Sequence, residues 1–169
     1  MELLITEKTK TREILPFLTT SNIKNLIKDV DVVELDVPIT EMHIEEFEEL
    51  ISAPEQFMLR MARKNKRALV FLGKCKDLMN SLEGFGKFVS QYESKQSPEE
   101  KQVMNGINFP SFGNNMLTTL IEFYHLHSVE EASKMKVKEW MLVFEHQASN
   151  ALFSRRYSEI VQKKSKMKK

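Results

Sequence analysis

An all-α fold is predicted for this chain of 169 residues, as a single helical domain of about seven helices. Apolar residues recur at intervals of three and four along most of the sequence, as they do on the buried face of a helix. Helix start signals, in which a Ser precedes a Glu by three residues, stand before two of these stretches. Only residues 31–38 have the β-branched composition of a strand, and a basic run closes the chain.

Residues 1–38 are predicted to form an N-terminal arm. Helical spacing indicates two short helices within residues 10–29, interrupted at Pro16 and again near Asn22. The segment 31–38 that follows has no partner strand in the sequence. We expect either a plain extended linker, which we favour, or an edge that pairs with another subunit.

Residues 39–162 are predicted to form the helical domain. A first helix is expected over residues 40–51 and a longer one over about residues 55–80. Gly84 and Gly86 are expected to loosen the chain before the next helical stretch.

An aromatic loop is predicted at residues 106–115. The sequence Ser-Pro-Glu-Glu at residues 97–100 begins a short helix before it, and the helical pattern resumes at Met116. The loop carries Phe109 and Phe112. Aromatic residues in a loop either pack on the core or bind a partner.

The segment from residue 128 to the end is the most informative part of the sequence. Ser128 and Glu131 form a capping box, and a second helix start follows at residues 137–140. The second helix carries apolar residues around most of its circumference, so more than one of its faces must be covered, by its own domain or by another subunit. Residues 163–169 are predicted to form a disordered basic tail.

The net charge of +1 conceals an uneven distribution of charge. From residue 155 to the end, seven Lys and Arg stand against one Glu, which gives +6 there and leaves −5 for the rest of the chain. Such a separation indicates contacts with partners. Five further cations within residues 60–67 either form the solvated side of a long helix or neutralise phosphates. The C-terminal residues that could contact nucleic acid or an acidic partner are Arg155, Arg156, Lys163, Lys164, Lys166, Lys168 and Lys169.

No constellation of residues indicates catalysis, a cofactor or a metal ion. His125 and His127 are two residues apart, so they point to different sides of a helix, and we expect them to end a helix instead of binding a metal. Cys75 is the one cysteine and lies in a helical pattern, where a buried thiol is the usual case. The start of the chain lacks the features of a signal peptide, and no apolar run reaches the ~18 residues of a membrane span. We therefore expect a soluble protein made in a cytoplasm and not an enzyme.

Residues 128–156 resemble the C-terminal helical element of bacteriophage tail-assembly chaperones and related small head–tail structural proteins. The resemblance is carried by Ser128-Val-Glu-Glu-Ala132 and then by Met135-x-Val137-x-Glu-Trp140, in which a short capped helix leads through a turn into a helix that bears an aromatic residue. The resemblance implies no catalysis, no cofactor and repeated contacts with copies of the chain or with other virion proteins. The N-terminal part, with its segment 31–38, departs from that pattern.

The resulting hypothesis is a non-enzymatic phage assembly or virion structural protein that acts by protein–protein docking, without a membrane. Its location would be the host cytoplasm during assembly or the virion itself. The expected partner-binding residues are Phe109, Phe112, Trp140 and Phe144. The alternative is a small helical DNA- or RNA-binding regulator that uses its basic C-terminal tail.

Overall fold

The computed structural model describes residues 5–18, 22–92 and 112–166, and in these residues the chain forms eight α-helices and no β-strand. The all-α prediction is confirmed for this part of the chain. Two short 3-10 turns, Leu15–Phe17 and Ile39–Glu41, accompany the helices. The helices are α1 (Thr11–Ile14), α2 (Ile23–Leu26), α3 (Ile44–Ser52), α4 (Pro54–Lys64), α5 (Ala68–Ser90), α6 (Phe112–Tyr124), α7 (Val129–Ser133) and α8 (Val137–Lys166).

Two compact units divide the chain, Met1–Gly86 and Lys87–Lys169, and their boundary falls within the residues of α5. Each unit buries apolar side chains of its own. The boundaries predicted at residues 38 and 162 do not coincide with this division and stay predictions.

The core of the first unit is a cluster of apolar side chains from α1, α2, α4 and the N-terminal half of α5. Helix α3 adds Phe47, which is fully buried and whose ring centroid lies 4.9 Å from that of Phe85. The buried apolar side chains of α5 recur at intervals of three and four residues, as the helical periodicity predicts for the face turned to the core. The cluster consists of Ile14, Ile23, Ile27, Ala62, Ala68, Phe71, Leu72 and Cys75.

The long helix predicted over residues 55–80 is instead two helices, α4 and α5, separated at residues 65–67. The Asn65 side chain donates a hydrogen bond from Nδ2 to the Met61 carbonyl oxygen at 2.8 Å, which satisfies a carbonyl at the end of α4. The N-terminal segment also pairs with this break, since Thr11 N donates to Lys66 O and Ala68 N donates to Thr9 O, each at 3.0 Å. The pairing with the N-terminal segment joins residues that are distant in sequence, so helical periodicity cannot reveal it.

Helix α5 continues through Gly84 and Gly86 to Ser90, so the prediction that these glycines loosen the chain is wrong. A single glycine costs a helix about 1 kcal/mol relative to alanine, which the other residues of a 23-residue helix can offset.

The segment 31–38 contains neither helix nor strand and lies against α5. Asp77 accepts a hydrogen bond from Leu35 N at 2.9 Å, and Lys74 forms an ion pair with Asp36 at 2.5 Å. A β-carbon added to Gly73 would lie 2.6 Å from Val33 Cγ2 and 2.7 Å from the carbonyl oxygen of Asp31. The segment therefore passes close to α5 at Gly73, where the absence of a β-carbon leaves room for it.

Capping interactions start α7 and α8 where the sequence predicts them. Ser128 Oγ accepts a hydrogen bond from Glu131 N at 3.2 Å, and the Glu131 carboxylate accepts one from His127 N at 3.0 Å. At the start of α8 only the carboxylate half of a capping box is present, in which Glu139 accepts a hydrogen bond from Lys136 N at 2.7 Å. The buried apolar residues that the structure describes in this unit are Met116, Leu120, Ala132, Val137, Trp140 and Val143.

The ends of α6 and α8 differ from the predictions. Helix α6 begins at Phe112, so the loop predicted at residues 106–115 does not include residues 112–115. Helix α8 runs through Lys166, and residues 163–166 of the predicted disordered tail are helical. No Gly or Pro follows Val137, and Lys is a good helix former, so nothing local ends the helix earlier. The predicted helix at residues 97–105, Phe109 and residues 167–169 lie outside the described residues.

Candidate functional site

The two predicted anchors on α8 pack within the second unit, where Trp140 is buried and Phe144 is half-buried. Trp140 is only 2% exposed, and its ring stacks on that of Phe144 with centroids 4.8 Å apart. The ring centroid of Phe144 also lies 6.0 Å from that of Phe88 and 5.7 Å from that of Tyr92. Phe144 therefore joins α8 to the first residues of the second unit. These rings pack on other aromatic side chains of their own chain. A role in partner binding for them, and for Phe109 and Phe112, stays a prediction.

A polar contact borders this aromatic group. The Tyr92 hydroxyl donates a hydrogen bond to a carboxylate oxygen of Glu145 at 3.0 Å. Loss of solvent around the ring, together with the adjacent negative charge, raises the pKa of Tyr92 above its ordinary value. The protonated hydroxyl acts as a donor to Glu145 of α8.

The outer side of α8 carries an uncovered row of apolar side chains, which we call the apolar stripe. It consists of Leu142, Phe153, Tyr157, Ile160 and Val161, all of which are exposed, Phe153 to 70%. At 100° per residue these five positions fall within a sector of about 100° around the helix axis. The buried Val137 and Trp140 lie in a different sector, whereas the buried Val143 has the same angle as Val161. Polar His146 and Asn150 occupy the sector between Leu142 and Phe153, so the stripe is continuous from Phe153 to Val161.

The rings of Phe153 and Tyr157 are nearly parallel, with centroids 6.3 Å apart and an interplanar angle of 16°. They are one helical turn apart, so they form a continuous apolar surface. A surface of this kind on a helix is typical of a binding site for another helix. The sequence already indicated a helix that is apolar on more than one side, but it could not tell which side the chain itself covers.

The basic residues predicted for contact with nucleic acid or an acidic partner lie on α8 as far as the structure describes them. Arg155 forms an ion pair with Glu159 at 3.5 Å, whereas Arg156, Lys163 and Lys164 are exposed. Lys166 belongs to the last turn of the helix, while Lys168 and Lys169 lie outside the described residues.

Two of the residues considered for metal binding or catalysis, His125 and Cys75, form part of the fold itself. His125 ends α6 with φ of 53°, in the left-handed region, and Leu126 N donates to Ile121 O at 3.1 Å around it. Cys75 is buried in the core, where desolvation raises the pKa of its thiol to about 12. No three His, Cys, Asp or Glu side chains come together in the part of the chain that the structure describes.

The fold and this site define an all-α protein with an uncovered apolar face on its C-terminal helix. Comparison of the chain with protein-family models, with characterised proteins and with solved structures gave no match. Among residues 5–18, 22–92 and 112–166, no helix has the length and apolar character needed to cross a membrane.

Proposed function

We propose that this protein acts without catalysing a reaction and that it docks along the apolar stripe of α8 onto a second copy of the same chain. The observation that carries the proposal is the exposure of Leu142, Phe153, Tyr157 and Ile160 on one side of a regular helix. Removing apolar surface from water contributes about 25 cal/mol for each Å² buried, so covering this stripe is favourable.

The distribution of charge on α8 supports a second copy as the occupant. Glu139 and Glu145 lie in the N-terminal half of the helix, and Lys163 and Lys164 lie near its C-terminal end. Two copies packed antiparallel near Phe153 would bring Glu145 of one copy close to Lys163 of the other. A self-complementary surface of this kind gives a two-fold symmetric dimer.

We place this docking protein in bacteriophage assembly, as a tail-assembly chaperone or a head–tail component. The support for this class is the resemblance carried by residues 128–156, with its short capped helix and the aromatic helix that follows. Other virion proteins would then be further partners. Binding to purified portal, capsid and tail proteins encoded beside this gene tests the class, and the absence of binding to all of them would remove it.

Light scattering coupled to size-exclusion chromatography tests the dimer. The wild-type chain should elute with the mass of a dimer at high concentration, and Phe153→Glu with Ile160→Glu should give a monomer because the two carboxylates would be buried in the interface. The matched control is Ala151→Glu with Gln162→Glu, which adds the same charge at exposed positions of α8 outside the sector of the stripe and should keep the dimer. A wild-type chain that stays monomeric up to millimolar concentration would contradict the proposal.

The alternative function is nucleic-acid binding through the C-terminal basic residues. It is supported by Arg156 and Lys163, which are exposed and lie within about 20° of each other around the helix. Truncation after Gln162 should then weaken binding to DNA or RNA and reduce its dependence on salt concentration. If filter binding detects no complex at low salt, this alternative fails.

A further inference from the structure

A second candidate site lies in the first unit, where the N-terminal segment meets the break between α4 and α5. The two meet in an open groove with a volume of about 830 Å³. Its walls are joined by the hydrogen bonds from Thr11 N to Lys66 O and from Ala68 N to Thr9 O. The hydroxyl of Thr11, which is buried, also donates to the Asn65 carbonyl oxygen. The groove is therefore built by backbone pairing and not by the long side chains that line it.

Positive charge dominates the lining of this groove, which we call the basic groove. One wall carries three cations from the N-terminal segment, and the other wall carries three from the end of α4 and the residues before α5, against a single carboxylate, that of Glu7. Lys10 and Arg67 are directly opposite each other in an antiparallel bridge. The six cations are Lys8, Lys10, Arg12, Arg63, Lys66 and Arg67.

These cations have no paired carboxylate in the part of the chain that the structure describes. All six are exposed, and within residues 5–18, 22–92 and 112–166 none of them forms an ion pair with a carboxylate. Arg60, which belongs to the same basic run, behaves differently, because it pairs with Glu49 at 2.7 Å and lies over the ring of Phe57. Arg60 therefore takes part in packing, whereas the six cations named above line the basic groove.

Six like charges held around one groove repel one another, and an anion with several charges relieves that repulsion. We propose that the basic groove binds the phosphate backbone of a nucleic acid. The groove is concave, which suits a rod-shaped polyanion better than the flat surface of a membrane. Its three arginines present planar guanidinium groups, which can bind phosphate oxygens in pairs. Because all six cations are exposed and none is a fixed, buried donor, the site suits a repeated charge and not one small anion.

This site is distinct from the basic residues of α8 and does not depend on the dimer. Binding here should not depend on the base sequence of the nucleic acid, since contacts to phosphate position it without reading its bases.

Fluorescence anisotropy with the full chain tests the proposal. The probes are a fluorescein-labelled single strand of about 20 nucleotides and a duplex of the same sequence, titrated between about 50 and 200 mM KCl. We expect binding that weakens steeply with salt. The variant Lys10→Glu with Arg67→Glu should weaken binding by about tenfold or more at the lowest salt, and it should reduce the slope of log K against log salt by about two, one for each lost phosphate contact.

The matched control is Lys24→Glu with Lys28→Glu, which makes the same change of charge at exposed residues of the same unit outside the groove. We expect less than a twofold change for it. If the charge-reversed groove unfolds the chain by circular dichroism, Arg12→Gln with Arg63→Gln gives the same comparison with a milder change.

Three outcomes would overturn the proposal: no binding of either probe at the lowest salt, an equal loss of affinity in the control and groove variants, or full loss on truncation after Gln162 with the groove variant unchanged. Equal affinity for polyglutamate or for vesicles of anionic lipid would also overturn it, in favour of an acidic protein or a membrane surface.

Discussion

Gly73 of α5 lies directly beneath Val33, and a β-carbon at Gly73 would stand 2.6 Å from Val33 Cγ2. Nearby, Lys76 Nζ donates to the carbonyl oxygens of Lys28 at 2.9 Å and Val30 at 2.8 Å. The segment 31–38 therefore has a defined position on α5 although it has no regular secondary structure. The lack of a side chain at Gly73 leaves room for the segment, and the side chains of Lys74 and Asp77 bind it directly. Lys76 binds the residues just before it.

Gly73→Ala should destabilise the first unit by about 1–3 kcal/mol, because the added methyl group meets a side chain and a backbone carbonyl in a packed contact. Urea unfolding followed by circular dichroism measures the change. Val33→Ala in the same chain should restore only part of the loss, since it removes the contact with Val33 Cγ2 but leaves the Asp31 carbonyl oxygen 2.7 Å from the new β-carbon. Unchanged stability in Gly73→Ala would show that the segment does not lie against α5.

Gly84→Ala should have the opposite effect. A β-carbon at Gly84 meets nothing within 4 Å, and the residue is exposed to solvent at a position well inside α5. Alanine is favoured over glycine there by about 0.5–1 kcal/mol, so the free energy of unfolding should rise by that amount. Gly86→Ala provides a second example with the same open surroundings. A loss of stability in both would mean that α5 is not continuous at these positions.

Cys75 should make stability depend on pH in the alkaline range. Burial raises the pKa of its thiol from an ordinary value of 9.0 to about 12 in the folded chain. Above pH 9 the unfolded chain loses this proton while the folded chain keeps it, so stability present below pH 9 is lost as the pH rises towards 12. The loss is about 1.4 kcal/mol for each pH unit.

The measurement compares urea unfolding of the wild-type chain with that of Cys75→Ala at pH 8 and pH 10. Other groups titrate equally in the two chains, so the advantage of the wild type should shrink by about 1.4 kcal/mol between these pH values. A constant difference would show that the thiol ionises as readily in the folded chain as in the unfolded one.

His125→Gly should stabilise the second unit by about 1 kcal/mol, because His125 has φ of 53° and an L-residue with a β-carbon is strained in this region. Thermal unfolding measures the change. His127→Gly is the matched control, since His127 is not in the left-handed region and glycine there only adds freedom to the unfolded chain. Equal effects of the two substitutions would contradict a strained end of α6.

Local signals account for what could be predicted in the second unit. Ser128 with Glu131 and Lys136 with Glu139 form caps between residues three apart, so the sequence contains both partners of each hydrogen bond. The burial of Cys75 follows in the same way from the helical spacing of its apolar neighbours. For the apolar stripe, the sequence predicted only that α8 is apolar around most of its circumference. Periodicity does not tell which of two apolar sides the chain itself covers.

By itself, the sequence determined the all-α class, the starts of α7 and α8 and the periodicity of α5, since all of these depend on residues within one or two helical turns. The tertiary structure decided the break between α4 and α5, the position of residues 31–38 on Gly73, the burial of Trp140 and the meeting of the two walls of the basic groove. Each of these depends on residues brought together from distant parts of the chain, such as Thr11 with Lys66 and Leu35 with Asp77. Their free energy comes from packing and pairing that exist only in the folded chain, and no local pattern of residues encodes it.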